Sequence, residues 1–376
     1  MSSTRKSIAS LHKVHSIEAP HRIKQQDGIL WIMKALQRSG TDAARALNLY
    51  ERLLGNDNIA YRNSVLSDYT HHNWDEMQLF KPSIRDDQST TPWWAPPLQD
   101  RMKFFVESAN SMAREAFASE TKAPTYLIDI SCTGYRAPYP LQGLLLDRGW
   151  QDQTRLLKIG HMGCYASVPS LHMGAQLARS LPADQTVSLL STELCSLHLD
   201  PFALDLDQVV SNVLFADGCA RMDVGSEPKA DSLDLYAHYE AIVPDSAQYM
   251  SWDLRDGRFH MTLSRKVVTQ LGRVIGHHLN EFLQRESLSQ KDITRFAIHP
   301  GGPRIVESME EELKLHPEAA QHSKDVLRKY GNMSSATLPH VWKSLSEDPT
   351  VKAGEWIISM AFGPGLTLTM NLLRKS

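Results

Sequence analysis

Cysteine is scarce: Cys132, Cys164, Cys195 and Cys219 are the four in 376 residues, and no C-x-x-C pair occurs. That spacing excludes a disulfide framework and makes a zinc site improbable, so free thiols in a reducing compartment are expected. Long apolar runs are missing too. Nothing approaches the ~20 consecutive apolar residues that a bilayer span needs, and the start, "MSSTRKSIASLHKVHS", has no apolar core of the kind a secretory signal carries. A cytoplasmic location without a membrane span is the expectation. Positive charge is not in excess, with 40 Lys+Arg against 43 Asp+Glu and a net charge of -3, which argues against a nucleic-acid partner. Tandem repeats and low-complexity segments are also lacking.

Apolar residues make up 42% of the chain, and a chain of this length can bury a sizeable core in two or three domain-sized units. Residues 1 to about 120 are rich in helix formers; "STTPWWAPPLQDRM" reads as an irregular connection into the helix "DRMKFFVESANSMAREAFASE". From Thr125 onward β-rich runs alternate with helical ones. "PTYLIDIS", "QTVSLLSTELCSLHL", "RFHMTLS", "TRFAIHP" and "EWIISMAFGPG" read as strands, and "VVTQLGRVIGHHLNEFLQ" as a helix. This alternation predicts an α/β sheet protein. "YLIDISCTG" and "ITRFAIHPGG" echo each other loosely, without enough likeness to assert a duplication.

Chemistry concentrates in four stretches. In "GHMGCYASVPSLHMGAQLARS", Val168, Leu171, Ala175 and Ala178 lie at helical spacing, which puts Cys164 near a first turn, where free backbone N–H groups and the helix dipole lower a thiol pKa. The alternative is an inert, buried cysteine. In "FAIHPGGPRI", Pro300 biases His299 to extended backbone at a strand end, and Gly301 and Gly302 let a ligand or another backbone approach. Asn332 of "YGNMSSATLPHVW" falls at a loop-to-helix junction, and "FGPGLTL" is a turn entering a β-rich run. Taken singly, the last two are ordinary loop residues. Cys195, inside an expected strand, and Cys219 read as structural, with Cys132 at a strand end intermediate between the two roles.

In this order, "GCYAS", "LFADG", "HPGGP", "GNMSSA" and "GPGLT" resemble the type III polyketide synthases, the chalcone-synthase-like branch of the condensing enzymes, in a bacterial rather than a plant form. The resemblance runs from about Thr125 to the carboxyl terminus. It implies a thiolase-like αβαβα layered fold of two similar halves, residues 1–220 with the nucleophile Cys164 and residues 221–376 with His299 and Asn332. It also implies a homodimer acting on a starter acyl-CoA, or acyl carrier protein, and malonyl-CoA, with no cofactor or metal beyond the coenzyme A thioesters themselves.

By the same resemblance Cys164 carries the acyl chain, with His299 and Asn332 as the other two catalytic positions. Phe215 falls on the aromatic gate between coenzyme A tunnel and cavity, and Cys132, Thr133, Cys195, His198, Ser334 and Pro364 fall on cavity-lining positions. A thiolate–imidazolium pair would make Cys164 reactive at neutral pH, and His299 with the Asn332 amide would stabilise the enolate of malonyl-CoA. Arg304, just after "HPGGP", is a candidate for a coenzyme A phosphate. Three departures from the plant pattern bear on the product: Ala166–Pro169 replaces a glycine-rich stretch, Trp252 stands where those enzymes have a small glycine, and Ala137 replaces the methionine that reaches into the partner. The second gate position is Phe259 or His260. Two rival readings are a single-step ketoacyl synthase of the same fold and a non-catalytic acyl-thioester binding protein.

Overall fold

The computed structural model describes residues 6–39, 43–55, 57–81, 96–255 and 258–376. The connection expected at 89–102 lies outside the described residues as far as position 95. Thirteen strands are described in chain order: β1 (Ala9–Ile17), β2 (His21–Lys24), β3 (Tyr61–Ser64), β4 (Tyr126–Ser131), β5 (Arg155–Gly160), β6 (Val187–Leu194), β7 (Asp217–Gly225), β8 (Leu233–Ile242), β9 (Met250–Arg255), β10 (Arg258–Leu263), β11 (Ile293–Ile298), β12 (Trp356–Gly363) and β13 (Thr367–Lys375). The helices are α1 (Gln25–Arg38), α2 (Ala44–Leu53), α3 (Leu98–Ala116), α4 (Pro140–Arg148), α5 (Ser167–Arg179), α6 (Leu206–Leu214), α7 (Lys266–Arg285), α8 (Pro303–Glu312), α9 (Gln321–Tyr330) and α10 (Thr337–Glu347).

Nine strands form one mixed sheet in the order β11-β12-β13-β8-β1-β7-β6-β4-β5. Its two ends mirror each other about the antiparallel β1–β8 pair: β4 runs parallel to β6 and β6 antiparallel to β7, while β11 runs parallel to β12 and β12 antiparallel to β13. β4 and β11 therefore hold corresponding places. The faint likeness of "YLIDISCTG" and "ITRFAIHPGG" thus has a counterpart in the topology.

Strand alternation divides side chains between layers, because successive residues point to opposite faces. Leu190 and Leu194 of β6 pack with α1, α3 and α4, while Val187 and Leu189 join a second cluster with Leu171 and Ala175 of α5 and Val341 and Trp342 of α10. That second cluster takes strands from both ends of the sheet, including Ile128 of β4 and Ile357 of β12. The opposite face of β12, Ile358 and Met360, packs with Leu271, Ile275 and Leu279 of α7. The layers are therefore αβαβα, with α5 and α10 in the middle. Strands covered on both faces have no solvent side, which is why all eight residues of β6 are buried.

Candidate active site

β4 ends at Ser131 and β11 at Ile298, so Cys132 and His299 are the residues released at two corresponding strand ends. Cys132 is fixed from below. Its N–H donates to both carboxylate oxygens of Glu193, at 3.1 and 3.0 Å, and its Sγ accepts from the Gly163 N–H at 2.9 Å. Gly163 itself has φ +84°, and a Cβ there would lie 2.7 Å from Cδ of Pro364, so only glycine lets the loop before Cys164 pass the Pro364 turn. Cys164 follows, half-buried, three residues before α5 begins.

Cys164 is therefore outside the first turn of α5, and its thiol is not lowered as the spacing suggested. Burial pushes it up to about 11, with the Glu193 carboxylate adding to the rise and the nearby Ser334 and Asn332 side chains opposing it. Desolvation pulls His299 down to about 3, and neither of its ring nitrogens has a hydrogen-bond partner, the Cys164 thiol included. Both shifts favour a neutral thiol and a neutral imidazole over an ion pair in the empty site.

Asn332 joins the two. Its Nδ2 donates to Gly301 O at 3.1 Å, on the turn where Gly301 N–H donates back to His299 O at 2.9 Å, and its Oδ1 accepts from the Ser334 N–H at 2.9 Å. Ser334 (φ +49°) and His161 (φ +60°) are non-glycine residues in left-handed backbone, on the two loops that deliver Asn332 and Cys164. Strain of that kind persists only where surrounding contacts enforce it.

A cavity of about 600 Å³, counting its mouth, opens beside Cys164. Cys132, Thr133, Cys195, His198, Phe215, Trp252, Ser334 and Pro364 line it, so eight positions expected from the sequence come together here. Gln208, Ser211, Met250 and Met261 also line it and were missed, because α6 and the β9–β10 hairpin carry no motif that marks them. Cys195 lies in a short 3-10 turn just past β6 rather than inside the strand, and Cys219 is buried in β7. His299 and Asn332 are buried next to the site and are not among the residues that line the cavity. Arg304 stands apart at the start of α8, its side chain 82% exposed and paired with Glu307 at 3.1 Å.

Trp252 donates from Nε1 to Cys132 O at 2.9 Å and stacks on Phe259, with ring centroids 5.0 Å apart and planes 9° apart. Alternation separates the two candidates for the second gate: Phe259 shares a face with the cavity-lining Met261 and is buried, whereas His260, opposite Asp253, points the other way.

Residues before 120, mute in the sequence, hold the wall in place. Arg62 of β3 is buried and donates to Gln25 Oε1 at 2.7 Å, Asn212 O at 2.7 Å and Phe215 O at 2.9 Å. Burial lowers its pKa to about 10, so it stays charged and satisfies the carbonyl end of α6. Gly331 (φ +75°) makes room for it, since a Cβ there would meet Arg62 Cγ at 2.9 Å.

Sheet and layers define a thiolase-like fold, with a cysteine-lined cavity at the ends of corresponding strands. Residues 234–376 match the family described as chalcone and stilbene synthases, C-terminal domain. The chain is 26% identical over 285 residues to 1,3,6,8-tetrahydroxynaphthalene synthase of Streptomyces coelicolor, covering 74% of this chain and 75% of the relative. Among solved structures it is similar to PKS-I of the brown alga Ectocarpus siliculosus (TM-score 0.83, 20% identity, 100% of both chains). The Streptomyces coelicolor synthase structure is also similar (0.81, 23%, 98% of this chain and 99% of that one), as is the type III domain of Steely1 from Dictyostelium (0.80, 22%, 98% and 99%). Residues 234–376 are thus a chalcone and stilbene synthase C-terminal domain, and the chain as a whole is similar to type III polyketide synthases, the chalcone-synthase-like acyltransferases.

Proposed function

We propose that the chain loads a starter acyl group on Cys164, extends it with units from malonyl-CoA, and closes the product to a pyrone or a phenolic ring, the latter as in the product that names the Streptomyces relative. The observation that carries this reading is the Asn332 amide, which ties the His299 turn to the loop beside Cys164 at one end of an apolar cavity.

Cys164 and His299 are each too costly to charge alone in a dry site, but one proton transfer charges both, and each charge then offsets the desolvation of the other. As a starter thioester arrives, the thiol proton moves to His299 and the sulfur attacks the carbonyl. The coenzyme A thiolate leaves and takes that proton. Exchange of thioester for thioester is close to isoenergetic.

Neutral His299 then has one N–H to offer, and Asn332 Nδ2 has a second hydrogen beyond the one given to Gly301. Both suit the carbonyl oxygen of malonyl-CoA as the carbon–carbon bond to carboxylate breaks, carbon dioxide departs and the electron pair becomes an enolate. The enolate carbon attacks the acyl group on Cys164, the C–S bond breaks, and the lengthened thioester can reload. The apolar ring of Phe215 disfavours the carboxylate and favours the neutral product.

We further propose that the chain works as a homodimer in the cytoplasm on coenzyme A thioesters without another cofactor, that it comprises two halves meeting near residue 220, and that Arg304 contacts a coenzyme A phosphate. No helix among the described residues is long and apolar enough to cross a membrane. Labelled malonyl-CoA with a panel of starters tests the central reading. Intact mass should show an acyl adduct on Cys164, absent from Cys164→Ala, and products with several malonyl units per starter. A single unit per starter would favour the one-step ketoacyl synthase, and no adduct at all would leave only a binding protein.

A further inference from the structure

Outside the cavity lining, α7 carries adjacent imidazoles at His277 and His278 and a carboxylate at Glu281. At about 100° of turn per residue, Glu281 lies one turn further on and between the two histidines around the helix. One donor atom from each of the three lies within 4.8 Å of the other two. Buried Tyr239 of β8 fixes the arrangement: its phenol donates to Glu281 Oε2 at 2.9 Å and lies 2.7 Å from His278 Nδ1. A hydroxyl has one proton. With that proton on Glu281, the His278 Nδ1–H donates to the phenol oxygen and Nε2 is left with a lone pair. A histidine whose second nitrogen donates to an outer partner has the usual form of a metal ligand.

A side-chain cation already touches this group. Arg285 pairs with Glu281 Oε1 and lies over the Tyr239 ring, 5.3 Å from its centroid. Its side chain is 61% exposed, so it can swing into solvent. A second such group among the described residues, His15, Glu120 and Asp223, differs on that point. Arg221, only 1% exposed, holds Glu120 at 2.6 Å and Asp223 at 3.0 Å and has no solvent to move into. That cluster is filled by its own arginine, whereas the α7 cluster is open on its outer side, with His277 exposed.

We propose that His277, His278 and Glu281 form a site for one divalent transition cation of the zinc type, with water completing a tetrahedral shell and Tyr239 as the outer partner of His278 and Glu281. Two imidazoles select zinc, cobalt or nickel over magnesium or calcium, which prefer oxygen shells. Bonds of about 2.0–2.1 Å put tetrahedral donors about 3.4 Å apart, so the side chains close by about an ångström, within reach of small χ rotations. The ion takes no part in condensation. It joins α7 to β8 through Tyr239 and so stabilises the outer helical layer.

The test titrates zinc chloride into the full-length, tag-free protein by calorimetry, with magnesium chloride as the control and cobalt chloride as the spectroscopic probe. Wild type should bind one zinc ion here, undisturbed by magnesium, and cobalt should give the weak visible bands of nitrogen and oxygen ligation. His277→Ala, which removes an exposed side chain and leaves the core untouched, should lose that ion, as should Glu281→Gln. Tyr239→Phe should weaken binding by about tenfold, the lower end of the cost of losing an outer partner. Arg285→Met should bind more tightly, because the competing cation is gone. Zinc should also raise the melting temperature of wild type and not that of His277→Ala. No zinc binding by wild type, undiminished binding by His277→Ala, or an Arg285→Met protein that binds no more tightly overturns the proposal. So does a strong thiolate-to-cobalt charge-transfer band from the tightest-bound ion, which would place it among the cavity cysteines instead.

Discussion

Phe215 and Asn332 are partners in an isolated parallel β-bridge: the Asn332 N–H donates to Leu214 O at 2.9 Å, and the Ala216 N–H donates to Asn332 O at 2.9 Å. The aromatic at the cavity wall and the amide behind Cys164 are therefore placed by one pair of backbone bonds. Neither can shift along the chain direction without the other. The bridge uses only main-chain atoms, so side-chain substitutions leave it intact and isolate what each side chain does.

Asn332→Ala should accept a starter on Cys164 but release carbon dioxide from malonyl-CoA about 10²–10³ times more slowly, the scale for one oxyanion donor. The bridge predicts that Phe215 stays where it is. Carbon dioxide release at the wild-type rate by the folded variant would remove Asn332 from the mechanism.

Arg62→Met should destabilise the protein by about 3 kcal/mol, because the carbonyls of Asn212 and Phe215 lose a charged donor in a dry setting. The loss should appear as a lower denaturant midpoint at unchanged m-value. A midpoint equal to wild type would mean that water replaces the guanidinium and that the α6 terminus is not held as described.

Trp252→Gly should change the product rather than merely reduce it. The indole lines the cavity and stacks on Phe259, so its removal opens space for a longer chain or a bulkier starter. It also removes the bond to Cys132 O. Stability should fall by less than the ~3–5 kcal/mol of a fully buried aromatic truncation, since Trp252 is only half-buried. A stable variant with the wild-type product spectrum and starter preference would show that Trp252 does not set the cavity.

Cys132 and His299 were legible in the sequence because they sit where strands end. The strand signal of "YLIDIS" and the Pro-Gly-Gly after His299 both mark such ends, and the structure puts Cys132 and His299 there. What stayed hidden depends on contacts across long separations. Arg62 and Phe215 lie 153 positions apart, and nothing in "AYRNS" announces a buried cation that caps a distant helix. β1 escaped for a different reason: its scattered polar residues break the clean alternation that marks a half-exposed strand. Proximity to a helix start suggested a lowered thiol for Cys164, and burial outweighed it.

That reversal gives the last prediction. Cys164 has its pKa raised to about 11 from the ordinary 9.0, and only the thiolate reacts with iodoacetamide. Below a pKa the thiolate fraction grows tenfold with each pH unit, so alkylation of the substrate-free protein at Cys164 should be slow at pH 7 and climb by about tenfold per unit to pH 9 and beyond. A preformed thiolate–imidazolium pair would behave oppositely, with a rate already level by about pH 7. The same sign governs His299: lowered to about 3, it stays neutral through the assay range and supplies no step in the profile between pH 5 and 8. Peptide mapping of the alkylated protein assigns the rate to Cys164, and a plateau at or below pH 7 would show that the ion pair exists before substrate arrives.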